Sequence, residues 1–123
     1  MSLHNMKQEL DALWSKRVRQ RDKKCALCSK GKKLAAHHWV HAKSRSNLYR
    51  WDLHNGITLC FTCHIHYVHG TASWAAISRL SDYMIRNEYI TVEYLSEMVK
   101  DRPPVKITSS FFEAVRKELE GDF

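Results

Sequence analysis

The sequence predicts a small α+β fold, mainly helical, in which short strands are held by metal-stapled knuckles rather than by a large apolar core. Two Cys-x-x-Cys pairs, Cys25/Cys28 and Cys60/Cys63, bracket the chain's only His-His pair, His37-His38. Short stretches of strand character lie inside that bracket, and apolar residues recur at helical spacing on both sides of it. The length of 123 residues suits one domain, spanning 1–123. A domain of that size buries a limited share of its surface, so a staple is useful.

Leu10, Leu13, Trp14 and Val18 predict a helix over 6–22. The first Cys pair and a Lys-Gly-Lys-Lys turn occupy 23–33, and Leu34–Val40 is a strand candidate that delivers the two histidines. A polar loop follows over 41–53. Asn55-Gly56 marks a turn, Ile57–Leu59 a second strand, and Phe61 opens a helix that runs to about His69. Beyond it, Trp74, Ile77, Leu80 and Met84 describe one apolar stripe, and Tyr94, Leu95, Met98 and Val99 another. Pro103-Pro104 breaks the pattern. Ser110-Phe-Phe-Glu113 reads as a capping box opening a last helix, with Phe111, Val115 and Leu119 on one face.

A hydrophobic fraction of 44% argues against disorder. No apolar run reaches membrane length and no leader core precedes the first helix, which predicts a cytoplasmic protein with reduced thiols and no membrane partner. The net charge of +7 is concentrated: residues 16–50 carry twelve Lys/Arg against one acid, Asp22, whereas 71–123 carry seven basic and nine acidic residues. A basic segment that also carries the first knuckle and the histidine pair points to a polyanion partner, since phosphate neutralisation supplies most non-specific nucleic-acid affinity.

Four cysteines in two tight pairs suit a closed tetrahedral thiolate site for structural Zn2+. An iron–sulfur cluster accepts the same four ligands, and a redox pair or a disulfide would draw on the same thiols. The histidines are a separate matter. Neighbours on a strand face opposite ways, so His37 and His38 suit different tasks, one binding metal and the other addressing a substrate. His64 directly follows Cys63, so the cage fixes it relative to the strand carrying His37.

Cys-x-x-Cys, then Ala36-His37-His38, then Asp52-x-x-Asn55-Gly56-x-x-Leu59-Cys60-x-x-Cys63-His64 resembles the four-cysteine branch of the HNH endonucleases. The resemblance implies a ββα-metal, treble-clef-like nuclease core over 21–70 and a helical extension over 71–123. It implies DNA as partner and a catalytic divalent cation (Mg2+, Mn2+, Ni2+ or Zn2+). His37 and His64 match the metal ligands, His38 the general base, and Asn55 the residue that ties the loop and helps orient the base. A neutral imidazole suits water deprotonation near pH 7. Only Asp22 and Asp52 are acidic between residues 12 and 81, which favours a one-metal imidazole site over a carboxylate-rich two-metal one.

Some members of that family carry a second helical histidine four residues after the first, where this chain has Val68. His69 is roughly 140° round an ideal helix from His64, which makes it an extra ligand only if the helix distorts, and His66 lies nearly opposite. Lys43, Arg45 and Arg50 are candidate phosphate contacts, and they read equally well as ordinary solvated side chains. His41 and His54 read as loop residues that touch phosphate or nothing. The rival to the nuclease is a non-catalytic zinc-knuckle module that binds nucleic acid. Roles in restriction, mobile-element transfer, phage recombination and packaging all suit such a domain, and the C-terminal helices suit dimerisation or docking to a larger machine.

Overall fold

The computed structural model describes residues 2–41, 47–65, 73–100 and 105–121. Its elements are α1 (Leu3–Asp22), β1 (Leu34–His38), α2 (Asn47–Arg50), a 3-10 turn (Leu53–Asn55), β2 (Gly56–Cys60), α3 (Phe61–Cys63), α4 (Ser73–Arg86), α5 (Val92–Met98) and α6 (Ser109–Glu120). Among the described residues the result is a small α+β architecture, mainly helical, with one two-stranded antiparallel sheet and a four-cysteine cluster. No helix among the described residues is long and apolar enough to cross a membrane.

Helix α1 begins three residues before its apolar stripe suggests, because Ser2 caps it by accepting from the Asn5 amide at 3.1 Å. It ends at Asp22, where Lys23 takes a left-handed conformation (φ 65°) and turns the chain toward the first knuckle. Leu10, Trp14 and Val18 are its buried face.

In the hairpin Leu34 lies opposite Cys60 and His38 opposite Gly56. Strand β1 stops at His38, two residues short of its expected end. The Trp39 amide still donates in register to the Asn55 carbonyl (3.1 Å), but the Val40 and His41 amides turn to Asn55 Oδ1 (3.0 and 2.9 Å), which diverts the chain from the ladder. Strand β2 is buried on both faces. One face, with Ile57 and Leu59, shares a core with Ala76, Leu80 and Met84 of α4. The other meets α1, where the Thr58 hydroxyl donates to the Val18 carbonyl at 3.3 Å.

Gly56 is not the turn residue that Asn55-Gly56 suggests. Its backbone is extended (φ −112°), and the turn is the preceding 3-10 segment, capped by Asp52. Glycine is required by proximity: a Cβ there would sit 2.5 Å from Val18 Cγ2 and 2.7 Å from Trp14 Cζ2.

At this junction Asp22 and Arg21 form a buried ion pair, with side chains 0% and 7% exposed. Arg21 Nε and Nη2 hold the two Asp22 oxygens at 2.9 and 3.1 Å, and its remaining donors reach the Leu53 and Gly56 carbonyls. Asp22 also accepts from the Thr58 amide and the Tyr83 hydroxyl, each at 2.9 Å. Burial and the adjacent carboxylate push the Tyr83 hydroxyl well above its ordinary pKa, so it remains a donor.

The C-terminal helices close the core with faces slightly rotated from the expected stripes. In α4 the buried residues are Ala76, Leu80 and Met84, while Ile77 is 45% exposed. In α5 Met98 is buried, and Val99, just past its end, is exposed. Helix α6 is capped by Thr108, which accepts from the Phe111 amide (3.1 Å), rather than by Ser110. Phe112 and Leu119 are consequently its buried residues, with Phe111 and Val115 at the edge against the Leu10, Trp14 and Trp51 cluster. Pro103-Pro104 lies outside the described residues.

Gly56→Ala is expected to lower the unfolding free energy by about 1–3 kcal/mol, the cost of overpacking a rigid contact, measured by urea denaturation. Asp22→Ala strands the Arg21 guanidinium in the core and is expected to cost about 3–5 kcal/mol. The same titration tests it, and a loss below about 1 kcal/mol would contradict the pair's structural role.

Candidate metal centre and histidine cluster

The four cysteines converge from two knuckles built by backbone hydrogen bonds. In the first, the Cys25 amide donates to the Lys30 carbonyl (2.8 Å) and the Ser29 amide to the Cys25 carbonyl (2.9 Å), with Ser29 left-handed at φ 65°. In the second, Cys60 ends β2 and caps α3, its sulfur accepting from the Cys63 amide at 3.5 Å. The Ala26 amide donates to the Thr58 carbonyl at 2.9 Å and so fastens the first knuckle to β2.

All four Sγ atoms lie within 4.8 Å of one another, and Cys28 and Cys60 are 3.6 Å apart. Tetrahedral zinc with bonds near 2.3 Å spaces its sulfurs by about 3.8 Å, so the donor set fits such an ion. Cys25, Cys60 and Cys63 are buried and Cys28 is exposed. Burial pushes the Cys60 thiol up, but the Cys63 amide and the neighbouring thiols outweigh it and bring it down to about 7. Burial and the same neighbours push Cys63 up. Among the described residues this is the one cluster of three or more metal-ligating side chains.

The two adjacent histidines face opposite ways, as strand geometry requires. On the α4 side the His37 ring stacks on His64, with centroids 3.6 Å apart and planes at 29°. His37 also lines a small cavity of about 80 Å3 with Ile57, Leu59, Ala76, Ile77 and Leu80, and His38 and Trp39 border it as well. Two imidazole nitrogens sharing a tetrahedral ion at about 2.05 Å lie roughly 3.3 Å apart, a spacing that rings this close can present. The pair could hold an ion through two ligands. His69 and His66 lie outside the described residues, as do Lys43 and Arg45.

On the α1 side His38 stacks flat on Trp14, centroids 4.0 Å apart and planes at 8°. His38 Nε2 lies 2.7 Å from the Arg50 carbonyl. A carbonyl only accepts, so Nε2 carries the proton, and in the neutral ring Nδ1 carries the lone pair.

Asn55 is fully buried and uses its whole hydrogen-bonding capacity. Its Oδ1 accepts from the Val40 and His41 amides (3.0 and 2.9 Å), and its Nδ2 donates to the His41 and Tyr49 carbonyls (2.9 and 3.0 Å). The Tyr49 carbonyl adjoins the peptide whose Arg50 carbonyl holds His38. Asn55 thus positions the imidazole through one intervening residue.

Arg50 itself is committed to structure. Its guanidinium grips Asp11 through Nε (3.1 Å) and Nη2 (2.8 Å), its side chain is 12% exposed, and Trp51 Nε1 donates to the same carboxylate at 2.8 Å. A polar loop sequence hid both this pair and helix α2. His41 and His54 have partners too: His41 Nε2 meets the Met98 carbonyl, and His54 Nδ1 lies 2.7 Å from Asp52. Burial pushes the Asp52 carboxyl up, yet hydrogen bonds from His54 and Tyr94 outweigh it and hold it below its ordinary value. Trp14 Nε1 donates to the Asp52 carbonyl (2.9 Å), which locks the indole under His38. The sequence shows Trp14 only as a member of the apolar stripe, and nothing in the spacing marks it as a platform.

No family model, no curated protein and no solved structure matches this chain.

Cys25→Ser is expected to lower bound zinc below one equivalent and to cut the melting temperature sharply, because metal and fold are coupled in such knuckles. His37→Ala is expected to keep both near wild type. Metal analysis with thermal melting of the two variants separates the sites, and equal losses would merge them.

Proposed function

We propose that this chain is a metal-dependent DNA endonuclease of the HNH type, with a ββα-metal, treble-clef-like core held by structural zinc at Cys25, Cys28, Cys60 and Cys63. The observation that carries the reading is the hairpin's division of labour. His37 meets His64 on one face, while His38, its proton placed on Nε2, stands on the other. A pure binding knuckle has no need of that arrangement.

In this reading His37 and His64 hold a divalent cation, which would act as a Lewis acid toward charge developing on the phosphate and the leaving 3′ oxygen. His38 does the proton chemistry. Its Nδ1 lone pair accepts a proton from water as the oxygen attacks phosphorus; the P–O3′ bond breaks, and the 3′ oxygen leaves with the bonding pair and takes a proton from solvent. The Arg50 carbonyl receives Nε2–H throughout, so the ring neither flips nor changes tautomer. The flat Trp14 face fixes the ring plane and favours the imidazolium once formed. Asn55 sets the position of the carbonyl that does the aiming. The basic segment supplies non-specific affinity for the phosphodiester backbone.

Plasmid nicking in the presence of a divalent ion tests the proposal. Wild type is expected to convert supercoiled to open-circular DNA, and His38→Ala to be slower by about 10²–10⁴-fold, the usual worth of a positioned general base. Equal rates would remove His38 from the mechanism. Absence of wild-type cleavage with Mg2+, Mn2+, Ni2+ and Zn2+ would leave the zinc-knuckle binding module as the function.

A further inference from the structure

On the knuckle face, Lys30, Lys32 and Lys33 line an open groove together with Cys60, Phe61 and Thr62. All three lysines are exposed, and Phe61 is 65% exposed although it begins a helix beside the buried cysteines. The loop is held at both ends: the Lys30 carbonyl accepts from the Cys25 amide at 2.8 Å, and the Lys33 carbonyl from the Phe61 amide at 3.1 Å. Lys33 adopts a left-handed conformation (φ 54°) to make the second contact. The cationic loop and the aromatic ring are therefore fixed to one another through the cysteine cluster.

Among the described residues, no carboxylate lines this groove. The two acids nearest in sequence, Asp22 and Asp52, are engaged with Arg21, Thr58 and Tyr83, and with His54 and Tyr94. The groove's positive charge is therefore available to a negative partner from outside the chain. Lysines alone would suit any polyanion. A flat exposed ring among them selects one whose monomers carry π-faces, and only an unpaired base can lay its face on such a ring.

We propose that Lys30, Lys32, Lys33 and Phe61 form a binding groove for single-stranded nucleic acid, the lysines meeting phosphates and Phe61 stacking a base. The groove lies at the start of β1, four residues or about 13 Å of strand from His37, so one strand can pass from the groove to the histidines within a few nucleotides. Its place in cleavage rests on the nuclease reading, whereas the binding does not.

Fluorescence anisotropy with a labelled twelve-nucleotide oligothymidine, zinc-loaded protein and no added divalent ion tests the groove. Phe61→Ala is expected to weaken binding about 5- to 150-fold, the worth of one stacked base, with the salt dependence unchanged. Phe61→Leu, which keeps apolar bulk without a flat ring, is expected to weaken it as well. The Lys30→Ala/Lys32→Ala/Lys33→Ala variant is expected to reduce the slope of log affinity against log salt by about 2, at roughly 0.7 per phosphate contact. Unchanged affinity in both Phe61 variants would overturn the proposal. So would displacement of the oligomer by polyglutamate as readily as by unlabelled oligothymidine of equal charge, since that marks an acidic-peptide surface. Oligomer binding is read without a divalent ion and plasmid nicking with one, so the two readings fail independently. Normal binding without nicking would therefore count against the nuclease alone, and normal nicking with unaltered Phe61-variant binding against the groove alone.

Discussion

A carboxylate at the last residue of a helix is badly placed, because the helix dipole presents its negative end there and burial adds desolvation. Asp22 occupies that position with no side-chain exposure, and the structure is arranged around satisfying it. Arg21 supplies the compensating charge, the Thr58 amide comes from β2, and the Tyr83 hydroxyl comes from α4. Arg21 directs its other donors to the Leu53 and Gly56 carbonyls, and its guanidinium lies 4.6 Å from the Tyr89 ring centre. One ion pair therefore joins α1, the 3-10 turn, the hairpin, α4 and the turn after it.

The histidines inherit their positions from that junction. With α1 drawn against β2, Trp14 and Val18 lie so near the strand that only glycine fits at 56. The same approach brings the Trp14 ring under His38, which is paired with Gly56 across the hairpin. Asn55, one residue earlier, ends β1 by capturing the Val40 and His41 amides and fixes the chain that aims His38. The cysteine knuckles act at the other end of the hairpin. They connect β2 to α3 and thereby carry His64 over to His37.

Much of this was legible from residue order. The Cys pairs, the alternation that separates His37 from His38, and the stripe of Leu10, Leu13, Trp14 and Val18 all follow from local geometry; each is found, with Leu13 only partly buried at the stripe's edge. Elements defined by long-range bonds were less visible. β1 ends early because Asn55 competes for its amides. α6 starts at a different cap, because Thr108 and Ser110 both suit the role and the packing of Phe112 decides between them. The shift from Ile77 to Ala76 on α4 has a similar origin. A small residue lets that helix lie on the Ile57 and Leu59 face, and Ile77 is left at the edge beside His37.

Charge shows the same division. Arg50 and Asp22 sit in a basic, polar stretch that reads as solvated surface, yet each is locked into an ion pair, one with Asp11 thirty-nine residues away and one with its neighbour. The sequence alone determined which chemistry is available here: four thiols spaced for one ion, imidazoles in alternating register, and a concentrated positive charge. Those are properties of residue type and short spacing. Tertiary structure alone decided which cations stay at the surface, which nitrogen of His38 holds its proton, and what the ring of Phe61 is left to meet. Those outcomes depend on partners distant in the chain, and desolvation makes each partner's presence or absence worth more than any local preference.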